Sequence, residues 1–87
     1  MKSQVFTVTT TPAQLIAAAP ANRTIYIHAI GNAVVYLGGT DVTTANGLLT
    51  EKSAVPFEVF LPANEVLWAV ATSSQEVRIM RPTNDGN

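Results

Sequence analysis

The chain has 87 residues, a formal net charge of −1 and no cysteine. A chain of this length buries one thin core, which neither disulfides nor thiolate metal sites can supplement. The near-neutral charge argues against a nucleic-acid or anionic-membrane partner, since both require a basic patch. Charged residues make up only 13% of the chain. About a quarter is usual, so we expect another chain to cover part of the surface.

The hydrophobic pattern is typical of strands. Six segments alternate or are rich in β-branched and aromatic residues, namely 5–9, 24–30, 33–37, 57–61, 66–71 and 76–80. Gly31-Asn32, between the second and third of these, predicts a β-hairpin. The pattern indicates one all-β domain over residues 1–80, a small antiparallel β-sandwich, jelly-roll-like, with about six or seven strands. The polar residues 81–87 are expected to form a flexible C-terminal tail.

One segment departs from the strand pattern. Thr11, Pro12 and Gln14 occupy the positions of a helix N-cap, a first helical residue and a capping-box partner. Pro20 ends the segment. These residues predict a single helical turn near residues 11–17, packed against the sheet by its apolar side chains.

Residues 34–49 contain two turn signals, Gly38-Gly39 and Asn46-Gly47, with Asp41 and several threonines between them. A calcium site needs six or more oxygen ligands with several carboxylates, and this stretch offers only Asp41. We therefore interpret it as a turn whose side chains cap nearby backbone groups, and we predict no metal site.

No group of residues has the composition of a catalytic or cofactor site. His28 is the only histidine, and no residue is indicated as its partner in a triad or acid–base pair. The glutamates lie near turns or alternate with apolar residues, as on a solvated face. We predict a chain that is not an enzyme, binds no cofactor, and has neither a signal peptide nor a membrane span.

Two predicted strands, 33–37 and 66–71, are apolar on both faces. A two-sheet sandwich buries only one face of each sheet, so the second face requires a cover. Our hypothesis is that a second copy of the chain or the surface of a larger assembly provides it. The alternative is that segment 11–20 covers one of these faces. The candidate contact residues are Tyr36, Val34, Trp68, Leu67 and Tyr26, because aromatic anchors usually dominate such contacts.

Several short motifs follow one another along nearly the whole chain. They are Gln14-Leu15, Ala21-Asn22-Arg23, Val35-Tyr36-Leu37-Gly38, Val42-Thr43-Thr44 with Gly47, Leu67-Trp68-Ala69-Val70-Ala71 and Val77-Arg78-Ile79. In this order and spacing the chain resembles small β-sandwich proteins of tailed-bacteriophage virions, the capsid decoration and head-associated proteins. The resemblance implies a structural protein made in the host bacterial cytoplasm and located on the capsid surface of the virion.

The resemblance also implies a function and a partner. A capsid decoration, or cement, protein binds the major capsid protein on the outside of the assembled head and stabilises the shell by mass action. It implies a homo-oligomer, with a trimer matching three-fold lattice positions by analogy. The alternative is a tail- or fibre-associated carbohydrate- or receptor-binding module. Two or more exposed aromatic side chains on one flat face, from Tyr26, Tyr36, Phe60 and Trp68, would favour that alternative.

Overall fold

The computed structural model describes residues 1–51 and 55–82, and within them the regular elements are eight β-strands. These are β1 (Lys2–Val8), β2 (Ala13–Ile16), β3 (Arg23–Ala29), β4 (Val35–Gly38), β5 (Leu48–Thr50), β6 (Phe57–Leu61), β7 (Leu67–Ala71) and β8 (Gln75–Arg81). They form two antiparallel four-stranded sheets, sheet A in the order β1-β8-β3-β6 and sheet B in the order β2-β7-β4-β5. The all-β prediction is therefore confirmed.

Strict alternation in the long strands determines which face of sheet A is buried. Ile25 and Ile27 of β3 and Val77 and Ile79 of β8 point to the core, and each full burial contributes about 1.5–3 kcal/mol. Sheet B contributes Leu15, Ile16, Val35, Leu37, Leu67, Ala69 and Ala71 to the same cluster. One core between the two sheets thus holds the domain together.

The predicted helical turn near residues 11–17 is a strand instead. Ala13–Ile16 forms β2, which pairs antiparallel with β7 at the edge of sheet B. A register shift between Gln14 and Ile16 allows the successive side chains of Leu15 and Ile16 both to be buried. Pairing with β7 and the burial of these two side chains stabilise the strand. An isolated helical turn is less stable, because its nucleation is unfavourable.

Gly31 and Asn32 do not close the predicted hairpin. β3 belongs to sheet A and β4 to sheet B, so the segment between them crosses from one sheet to the other. Thr72 N donates a hydrogen bond to Val34 O at 3.1 Å, which fixes the arrival of the chain in sheet B. The crossing lets the apolar faces of both strands meet across the core, whereas a hairpin would place them side by side.

The number of strands and the end of the domain also differ from the sequence prediction. The short strand β5 was not expected, and together with β2 it raises the number of strands to eight. The predicted tail over 81–87 starts too early, because Arg81 ends β8 opposite Lys2 and is buried. Residues 83–87 of that tail lie outside the described part of the chain.

Candidate interaction surface

Sheet A has an outer face directed away from the core, which we call outer face A. It is formed by the side chains that alternate with the buried ones: Ser3, Val5, Thr7, Thr24, Tyr26, His28, Glu58, Phe60, Glu76, Arg78 and Met80. None of them belongs to the core cluster, and all are exposed or half-buried. Outer face A is thus a surface displayed by four adjacent strands.

The strand register arranges outer face A in rows. In one row, Met80 lies between Ser3 and Tyr26. In the next row, Arg78 lies between Val5 and His28. A groove of about 580 Å³ follows these two rows, and Pro56 is also part of its lining. Its volume falls within the range of about 300–1,000 Å³ that is common for ligand sites.

Apolar side chains are concentrated on this face. Val5 is 56% exposed, Phe60 61% and Met80 40%, and Tyr26 is half-buried beside Met80. Single exposed apolar residues are ordinary on a protein surface. Val5, Met80 and Tyr26 line the same groove, and Phe60 lies farther away on the edge strand β6. Exposed apolar groups gathered in this way are typical of an interaction site.

Charged side chains of both signs lie within the patch. Arg78 Nη2 and Glu76 Oε1 are 3.6 Å apart, and both side chains are well exposed, so this pair contributes less than about 1 kcal/mol. Tyr26 lies opposite Glu58 on the neighbouring strand. A hydrogen bond to Glu58 raises the pKa of the Tyr26 phenol, with a smaller contribution from the negative charge of Glu58 and the least from burial.

This hydrogen bond yields a pH prediction. A raised pKa means that the bond favours the neutral phenol, so its stabilisation is present below pH 10.0 and is lost as the pH rises through the raised value. We expect Glu58→Gln to lower the pKa of Tyr26 towards its ordinary value. Ultraviolet titration of the phenolate in a Tyr36→Phe background, which leaves one tyrosine, measures this pKa. An identical titration curve with and without Glu58→Gln would contradict the hydrogen bond.

The outer face of sheet B is different, because the chain itself covers part of it. Val70 points away from the core and is outside the core cluster, yet only 4% of it is exposed. The loop between β4 and β5 carries the buried Val42 back over this sheet. A Cβ atom at Gly38 would lie 3.0 Å from Val42 Cγ2, and one at Gly47 would lie 2.6 Å from Tyr36 Cβ. The loop 39–47 therefore touches the sheet through Val42 and Gly47.

Two side chains hold this loop in shape. Thr43 N donates to Asn46 Oδ1 at 2.7 Å, and Asn46 N donates in return to Thr43 Oγ1 at 3.3 Å. Asn46 Nδ2 donates to the carbonyl oxygen of Asp41 at 3.2 Å. The prediction that side chains in this stretch cap local backbone groups is confirmed for Thr43, and Asn46 supplies a second cap, whereas Asp41 takes part through its main-chain carbonyl.

The five contact residues predicted from the sequence are not brought together. Tyr36 and Trp68 are half-buried on the outer face of sheet B, and Val34 is half-buried just before β4. Leu67 lies in the core, so it is Trp68 that faces outwards on β7. Tyr26 lies on the other sheet, on outer face A. The cover expected over strand 33–37 comes in part from residues 39–47 of the same chain. Segment 11–20 does not supply it, because Ala13–Ile16 within that segment is an edge strand of the same sheet.

Val5 and Met80 were not predicted as contact residues. Both occupy positions that alternate with core residues in β1 and β8, where a solvated face would carry polar side chains. An apolar residue at such a position is the signal that was available in the sequence.

Within residues 1–51 and 55–82, no three His, Cys, Asp or Glu side chains are close enough together to hold a metal ion. The same residues contain no helix of the length and hydropathy that crossing a bilayer requires. No protein-family model matches this chain, and no curated protein or solved structure is significantly similar to it.

Proposed function

We propose that the chain is a non-enzymatic structural protein of a bacteriophage virion, namely a capsid decoration protein. It binds the major capsid protein on the outer surface of the assembled head and stabilises the shell. Outer face A is the observation that supports this proposal most directly, because it exposes Val5, Phe60 and Met80 on one side of a single sheet. The ordered motifs that resemble virion proteins supply the identity of the partner.

We also propose that the two sheets form a jelly-roll sandwich. β1 pairs with β8, β2 with β7, β3 with β6 and β4 with β5. A single long antiparallel ladder with these four pairings gives the two observed sheet orders when it rolls up, which supports the proposal. Jelly rolls occur in viral capsid proteins and in lectins, so the fold is compatible with the proposed function without determining it.

The proposed mechanism is adhesion. Burying one exposed apolar side chain contributes at most about 1.5–3 kcal/mol, and association itself has a large entropic cost. A protein that binds only the assembled shell nevertheless favours that state by mass action at every lattice position it occupies. Many weak sites on one head thus add up to a large stabilisation of the particle.

The experiment that tests this proposal is the copy number of the chain in purified particles, measured by quantitative mass spectrometry against the major capsid protein. We expect a ratio near unity or a simple fraction of it. Met80→Lys should lower this ratio, because it places a charge in the middle of outer face A. The control Leu48→Lys changes an exposed residue of sheet B and should leave the ratio unchanged. Absence of the chain from particles, or its confinement to the tail, would overturn the proposal.

A carbohydrate- or receptor-binding module on the tail or fibre is the second candidate. The observation that favours it is that Tyr26 and Phe60 lie on the same face, on neighbouring strands. In that case Phe60→Ala should abolish binding of the purified chain to intact host cells. Binding of the purified chain to isolated heads, without binding to cells, would favour the capsid decoration protein over the receptor-binding module.

A further inference from the structure

The two sheets have four edge strands, β1 and β6 in sheet A and β2 and β5 in sheet B. An edge strand presents a row of backbone N–H and C=O groups that are not paired within its sheet. Such an edge pairs with another strand unless it is short, kinked, charged or interrupted by proline. The four edges differ strongly in these respects.

Three edges carry such protection. β2 has four residues and a register shift, and β5 has three residues. β6 has five residues, is flanked by Pro56 and Pro62, and carries Glu58. Each of these edges offers only a short or interrupted run of backbone groups to another chain.

β1 is the exception. It has seven residues and pairs with β8 without any shift, from Lys2 opposite Arg81 to Val8 opposite Gln75. It contains no proline, and its single charge, that of Lys2, lies at one end. The edge of β1 that faces away from β8 is therefore long, regular and almost uncharged. Val5, at its centre, is more than half exposed.

We infer that two copies of the chain pair through β1, antiparallel and about a two-fold axis at Val5. This pairing joins two copies of sheet A into one eight-stranded sheet. Val5 of one copy then lies opposite the same residue of the other copy. The remaining facing pairs are Lys2 with Val8, Ser3 with Thr7 and Gln4 with Phe6.

We assign a second copy of the chain as the partner of β1 because the edge of this strand is complementary to itself. The two lysines lie at opposite ends of the ladder, so no like charges face each other, and the small polar residues Ser3 and Thr7 meet. The half-buried Phe6, at the open side of the core, gains cover. An apolar β-branched pair at the axis is a favourable cross-strand contact.

The two-fold pairing has a consequence for outer face A. The axis of an antiparallel ladder is perpendicular to the sheet, so both copies display this face on the same side. The dimer therefore presents one continuous surface with twice the number of apolar side chains. This assigns two-fold symmetry, in contrast to the trimer that the sequence resemblance implies, and it does not depend on the proposed function.

Sedimentation velocity of the isolated full chain, over the micromolar to submillimolar range, tests the pairing. We expect a reversible dimer. Val5→Lys opposes two positive charges at the axis, and we expect it to raise the dissociation constant on the order of tenfold. Val5→Glu should do the same, and an equimolar mixture of the two variants should restore the dimer. Phe60→Lys, an equally exposed site on the opposite edge, is the matched control and should leave dimerisation unchanged.

A cross-link gives a second, independent readout. The chain has no cysteine, so Val5→Cys introduces its only thiol. Residues directly opposite in an antiparallel pair have Cα atoms about 4.5–5.5 Å apart, which suits a disulfide. Mild oxidation should convert Val5→Cys to a covalent dimer much faster than Phe60→Cys.

Three results would overturn the inference: a monomer at every concentration, a trimer, or equal rates of cross-linking in the two cysteine variants. None of these results bears on the copy number of the chain in particles, which is a separate measurement. Failure of the pairing is thereby distinguishable from failure of the proposed function.

Discussion

Replacing Arg23 with methionine is expected to lower the free energy of unfolding by about 3 kcal/mol. Arg23 is 4% exposed. Its Nη1 donates to Ala17 O at 2.9 Å and its Nη2 donates to Glu65 O at 3.1 Å. Methionine retains most of the apolar stem but cannot donate, so both carbonyl groups lose a charged donor. A hydrogen bond made by a charged group contributes about 1.5–3 kcal/mol, and these two are part-buried.

The position of Arg23 makes the effect large. Its two acceptors lie in different connections, one between β2 and β3 and the other between β6 and β7. The same connections are joined by Asn64 N to Ala19 O at 2.7 Å and by Ala63 N to Asn22 Oδ1 at 2.8 Å. The guanidinium group thus ties the segments at one end of the two sheets together. A loss of this size is a substantial part of the stability of a small domain, about 5–15 kcal/mol in total.

Urea denaturation monitored by Trp68 fluorescence measures the effect of Arg23→Met. Arg78→Met is the matched control, because the same change is made at an exposed site on outer face A. We expect the control to change stability by no more than about 0.5 kcal/mol. If Arg23→Met and Arg78→Met lowered the free energy of unfolding by similar amounts, the two hydrogen bonds from Arg23 to carbonyl groups would contribute little to stability.

Gly47→Ala is expected to destabilise the protein by about 2 kcal/mol through overpacking. A Cβ atom at Gly47 would lie 2.6 Å from Tyr36 Cβ and 2.9 Å from Val42 Cγ2. Neither atom is the far end of a flexible side chain, so the loop must move away from sheet B. Movement of the loop would also uncover Val42, which is only 3% exposed.

Gly39→Ala provides the control within the same loop. A Cβ atom at Gly39 meets only Asp41 Oδ1, at 3.5 Å, which is an ordinary contact. Because alanine restricts the unfolded chain more than glycine does, this change should be neutral or stabilise by up to about 1 kcal/mol. Thermal unfolding of both variants gives the comparison. A loss at Gly39 as large as that at Gly47 would indicate that the loop does not pack on the sheet as described.

The sequence predicted the parts of the fold that have a clear local periodicity. The alternation in residues 24–30 identified both the strand and its buried face, because a pleated strand places successive side chains on opposite sides. Thr11, Pro12 and Gln14 matched a helix start, yet the backbone there pairs with β7. A capping pattern indicates how a helix would begin but not whether a neighbouring strand competes for the same backbone groups.

The candidate site was predicted only in part. The sequence indicated that strands 33–37 and 66–71 have two apolar faces, and Tyr36 and Trp68 do lie on the outer face of sheet B. It did not show that residues 39–47 fold back over that face, since a loop of turn signals contains no information on the surface it contacts. The exposed patch lies on the other sheet, where Val5 and Met80 come from opposite ends of the chain.

Strand periodicity and β-branched content act locally, and they were enough to predict an all-β domain with one core. In residues 24–30 the alternation also indicated which face is apolar. Which strands share a sheet could not be predicted, because pairing depends on contacts between residues distant in the chain. For the same reason it took the folded structure to show that β1 is an edge strand, that Val5 and Met80 line one groove, and that Arg23 joins two connections.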